Sequence, residues 1–137
     1  LIGKSMGTNA ACLAADRDLP AIWLTPLLTM PWIVAALERA TAPCLLVGGA
    51  ADGSWDGAVA RQLSPHVLEV PNADHGMYVP GPLTESIAVL GRVVVGVEEF
   101  LDTRREDYGI ESVYSFFAEN EAATTMTLAR QDLDDVR

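Results

Sequence analysis

Residues 1–16 read LIGKSMGTNAACLAAD, and this stretch decides the fold. Leu1 and Ile2 have the apolar character of a strand end, and a turn bounded by Gly3 and Gly7 follows at once. Ala10, Ala11, Leu13 and Ala14 then predict a helix through about Asp16, with side chains small enough to pack closely on a sheet. Strand, tight turn and helix in that order open a parallel βα unit.

The same alternation runs on. Asp18 and Pro20 end the first helix, and residues 21–25 (AIWLT) predict a strand with a fully apolar centre. Pro31 opens a helix through Ala40, because proline is tolerated in a first helical turn. A buried-type strand follows at 43–48 (PCLLVG), then a short helix at 57–63, a strand at 66–70 (HVLEV) and a long helix over 83–101. The expected class is α/β, a parallel sheet flanked by helices. Between the second and third strands only residues 26–42 intervene, room for one helix and no cap domain.

Composition narrows the function. Half of the 137 residues are apolar and a fifth are charged, with mean hydropathy +0.20, which excludes a disordered chain. Nineteen acids against nine bases leave a net charge of −10, a surface that repels phosphate backbones and anionic membranes. No stretch approaches the ~20 apolar residues of a membrane span. Cys12 and Cys44, each among apolar neighbours, read as buried free thiols of a reducing compartment, with a single disulfide as the alternative. The expected setting is cytoplasmic, with no nucleic-acid or membrane partner. No histidine–carboxylate or cysteine cluster has metal-ligand spacing, so no metal is expected; no cofactor is expected either.

Composition shifts near Asp102. Residues 1–102 hold 11 acids and five bases, and residues 103–137 hold eight acids and four bases in a third of that length. The expected organisation is an α/β region at 1–102 and an acidic helical extension at 103–137. Ile110, Val113, Tyr114 and Phe117 share one helical face of that extension, and Met126, Ala129, Leu133 and Val136 form a weaker stripe.

Gly3-Lys4-Ser5-Met6-Gly7 fits G-x-S-x-G at a strand-to-helix turn. A nucleophile on so sharp a turn leaves no room for side chains two residues away, so glycines at both places relieve the clash. A helix N-terminus under the serine favours developing negative charge, and the Met6 N–H is the expected oxyanion donor. The rival reading is a phosphate loop, since Gly3-Lys4-Ser5 matches the end of its motif. Against it, Leu1 and Ile2 would be bulky apolar residues inside that loop.

The downstream order favours the serine. Asp52 follows the third strand and His75 follows the fourth, 47 and 70 residues after Ser5, and groups at parallel strand ends converge on one sheet edge. Ser…Asp…His is the chain order of an α/β-hydrolase triad. Isolated loop histidines more often bond backbone, but the place after the last strand favours chemistry for His75; His66 reads as structural. Asp56 is the second candidate for the acid, with an N-cap of the 57–63 helix as its other role. Lys4 reads as solvated or paired with a nearby carboxylate. Trp23, Leu27, Trp32, Trp55, Met77 and Tyr78 are candidate wall or core residues.

Three segments carry a family resemblance: GKSMG (3–7), LLVGGAADGSWD (45–56) and VPNADHGM (70–77). From Leu1 to about Leu101 the chain resembles the C-terminal half of an α/β-hydrolase fold serine hydrolase, similar to small lidless members related to dienelactone hydrolase. The resemblance implies Ser5 as nucleophile, His75 as base, Asp52 as its orienting acid and a small-molecule acyl substrate. It also implies earlier strands and a second oxyanion donor before the nucleophile strand. The expectation is therefore a fragment of a longer hydrolase, poorly active and prone to aggregate alone. A non-catalytic interaction module on the same fold is the other reading.

Overall fold

A computed structural model describes residues 1–108 of the chain. The elements are β1 (Ile2–Lys4), a 3-10 segment (Ser5–Ala10), α1 (Ala11–Arg17), β2 (Ala21–Leu24), α2 (Pro31–Arg39), β3 (Cys44–Gly49), α3 (Gly57–Leu63), β4 (His66–Val70) and α4 (Leu83–Tyr108). The strands form one parallel sheet in the order β1-β2-β3-β4, with Ile2 beside Ile22, Trp23 beside Leu46 and Val47 beside Leu68. Leu1–Phe100 form one compact unit, which holds the whole sheet. Of the second unit, Leu101–Arg137, the described part is the end of α4, where Arg105 bonds Asp102 at 2.5 Å. The apolar stripes expected at 110–117 and 126–136 lie outside the described residues.

Alternation along β2 and β3 divides the core between the two faces of the sheet. Trp23 and Leu46 pack with Ala11, Ala14, Ile33, Ala36, Leu37 and Ala60 from α1, α2 and α3. Ile22, Leu45 and Val47 pack with Val89, Val93 and Phe100 of α4. Covering both faces explains why β3 is buried at every position and reads as an unbroken apolar run. Among the described residues, no helix is long and apolar enough to cross a membrane.

Three local details differ from the sequence reading. The first helix begins as 3-10: the Thr8 hydroxyl donates to the Ser5 carbonyl at 2.6 Å, and Asn9 Nδ2 donates to the Met6 carbonyl at 2.8 Å. Side chains that bond the carbonyls one turn back favour the tighter winding. Cys12 is exposed, not buried, because α1 presents Ala11 and Ala14 to the sheet and turns its neighbour outward. α4 passes Leu101 and continues to Tyr108, with no proline or glycine there to stop it.

The cysteines give a direct check on this packing. Burial pushes the Cys44 thiol up, and a Ser64 hydrogen bond only partly opposes that. A raised thiol pKa means less thiolate near pH 8 and slower alkylation. Iodoacetamide at pH 8 is expected to modify Cys12 in the folded protein and Cys44 only after unfolding, as read by intact mass. Equal labelling of both thiols in the native state would contradict the burial of Cys44.

Candidate active site

β1 delivers Ser5 to the C-terminal edge of the sheet, where the chain turns directly into the 3-10 segment. Ser5 has φ 52°, a left-handed conformation that non-glycine residues avoid. Strain of this kind persists where the surroundings enforce it. A Cβ at Gly3 would lie 2.6 Å from the Trp23 ring, so the first glycine of the motif is sterically required. Gly7 differs from expectation. A Cβ there meets nothing within 4 Å, because the 3-10 winding turns this position into open space. The same winding leaves the first amides, Met6 among them, without partners inside the segment.

Asp52 comes from the loop after β3, its side chain only 2% exposed. Its Oδ1 accepts from the Ser54 amide at 2.8 Å, and its Oδ2 lies 2.7 Å from His75 Nδ1. Both oxygens of this buried carboxylate therefore have a hydrogen-bond partner. In the tautomer that donates Nδ1–H to this carboxylate, Nδ1 carries the proton. Nε2 is then free to accept from Ser5 Oγ, 2.8 Å away. The His75 side chain is 40% exposed, so it is reachable from solvent.

Backbone contacts between the two loops bring the acid and the histidine together. The Ala50 amide donates to the Val70 carbonyl at 2.9 Å, and the Ala51 amide donates to the Ala73 carbonyl at 3.0 Å. The loops come so close that a Cβ at Gly49 would run into the Ala73 carbonyl. This approach has no local sequence signature, since it depends on two loops more than 20 residues apart.

The other candidates, and Asp74 beside the histidine, have structural places. Asp56 caps α3, accepting from the Ala58 and Val59 amides at 2.9 and 3.0 Å. Asp74 closes the turn around His75, accepting from the Gly76 and Tyr78 amides at 2.8 and 2.9 Å. His66 stacks edge-on against Phe100, with ring centroids 5.3 Å apart. Trp23, Leu27, Trp55 and Met77 are buried core residues, whereas Trp32 and Tyr78 are exposed.

Lys4 is an exposed strand residue, and its Nζ approaches Thr25 and the His75 carbonyl. A phosphate loop would need these residues to curl around an anion. Here Ile2–Lys4 are extended and paired with β2. No local sequence pattern marks Thr25. It is fully buried with φ 45°, although a β-branched residue before Pro26 ordinarily signals extended backbone.

A cleft of about 380 Å³ lies elsewhere, between Val70, Asn72 and Val79 and the α4 residues Glu85, Val89 and Arg92; neither Ser5, Asp52 nor His75 lines it. Compared with known proteins, the chain matches no family model and no curated sequence.

Proposed function

We propose that this chain carries the catalytic residues of a serine hydrolase of the α/β-hydrolase type, cleaving an ester or related acyl bond. The observation that carries the reading is the continuous hydrogen-bond chain Ser5 Oγ–His75–Asp52, at 2.8 and 2.7 Å, assembled from the ends of three parallel strands. In this reading Ser5 Oγ attacks the carbonyl carbon of the substrate while His75 Nε2 takes its proton. The carbonyl electrons move to oxygen, and in this reading the Met6 N–H, the amide after the nucleophile, donates to it. Collapse of that adduct expels the leaving group, protonated by His75, and leaves an acyl-Ser5. Water, deprotonated by the same nitrogen, then releases the acid and restores the serine. Asp52 holds the ring in the useful tautomer and stabilises its cation.

The net charge of −10 favours neutral or cationic acyl donors over anionic ones. A fluorophosphonate probe tests the reading directly. Wild-type chain is expected to be labelled at Ser5, with the adduct located by peptide mass, and Ser5→Ala is expected to lose all labelling. Equal labelling of both proteins would remove Ser5 as the nucleophile, and an unlabelled wild type would remove the hydrolase reading.

A further inference from the structure

The residue before Ser5 links three elements of the site. Lys4 Nζ lies 3.4 Å from Thr25 Oγ1, at the end of β2, and 3.4 Å from the carbonyl oxygen of His75. Thr25 is a rigid post. Its side chain is buried, its backbone is held at φ 45°, and its amide donates to the Val47 carbonyl of β3 at 2.7 Å. A strained, β-branched residue of this kind is enforced by its surroundings. The loop carrying His75 also turns through left-handed residues, Asn72 at φ 59° and Met77 at φ 66°. An ammonium has three donors and no acceptor, so it can hold a hydroxyl oxygen and a carbonyl together.

Resting on the serine hydrolase reading above, we propose that Lys4 is a positioning residue, whose ammonium, seated on the Thr25 hydroxyl, holds the His75 main chain so that Nε2 stays aligned with Ser5 Oγ. Lys4 does not touch the reacting atoms in this role. Both separations are long for hydrogen bonds, so the hold is largely electrostatic. Its loss should cost on the order of tenfold in rate, less than the ~10²-fold that a full ångström of misplacement can cause.

The test uses the full chain and two independent readouts. One is the rate of fluorophosphonate labelling at Ser5; the other is solvent exchange of the His75 Nδ1 proton by NMR, assigned by its loss in His75→Gln. Lys4→Met is expected to slow labelling about tenfold and speed that exchange, and Lys4→Arg to recover most of both. Added ethylammonium should accelerate Lys4→Ala and leave wild type unchanged. Thr25→Val, which keeps the β-branch and removes the acceptor, should repeat the Lys4→Met effect more weakly. Wild-type labelling and exchange in Lys4→Met would overturn the proposal. Equal losses in Lys4→Met and Lys4→Arg, with no ethylammonium rescue, would also overturn it by making the role merely structural. If wild type is not labelled at all, the hydrolase reading fails separately. The exchange rate of the His75 proton then decides the positioning role alone.

Discussion

Asp52→Asn is expected to lower turnover of an activated ester such as p-nitrophenyl acetate by about 10³–10⁴, with the fold intact. The substitution keeps volume and burial but removes the charge that places the proton on His75 Nδ1. With an amide at that position, the proton moves to Nε2, the nitrogen 2.8 Å from Ser5 Oγ, and His75 can no longer accept the serine proton. Asp56→Ala provides the contrast. It removes two bonds to the start of α3 and is expected to cost about 1 kcal/mol of stability, leaving turnover unchanged. The two aspartates are four positions apart in one loop, so the pair of variants separates chemistry from capping. Loss of turnover in Asp56→Ala with normal Asp52→Asn would reverse the assignment.

The second large effect is expected at Gly49. An alanine there directs its Cβ into the Ala73 carbonyl, which is already bonded to the Ala51 amide. Backbone on both sides leaves little freedom to yield, so Gly49→Ala should cost about 3 kcal/mol or more. For a unit of this size each kcal/mol moves the thermal midpoint by about 4–8 °C, so a drop beyond ~10 °C is expected. The strain falls on the contact that aligns Asp52 with His75, so Ser5 labelling should slow as well. Gly7→Ala is the control. Its Cβ enters open space, and the midpoint should hold or rise slightly. Similar destabilisation by both variants would mean that the Gly49 approach is not special.

Much of the fold was legible because it is written in local pattern. The β-rich runs of β2, β3 and β4 alternate with helical stretches, and α3 and β4 begin and end where the sequence reading placed them. Asp56 reads as a cap from its place before Gly57, since an N-cap needs only an oxygen within reach of nearby amides. Strand ends on one edge of a parallel sheet also place Ser5, Asp52 and His75 in one region before any distance is known. Gly7 shows the limit of motif reasoning. The pattern asks for glycine at that place, but the space around it is set by a 3-10 winding that the motif does not specify.

The opening stretch, 1–16, therefore determined the strand-turn-helix order and put a serine at a sharp turn. The pattern of residues a few positions apart also marks the apolar strands and the Asp56 cap, because periodicity and caps depend on near neighbours. Tertiary structure decided what no short window contains. It set Asp52, not Asp56, on His75 across 23 residues, brought Gly49 against Ala73, and held Thr25 in a left-handed conformation beside Lys4. Those outcomes follow from sheet register and loop-to-loop hydrogen bonds, which join distant segments and leave no periodic trace in the chain.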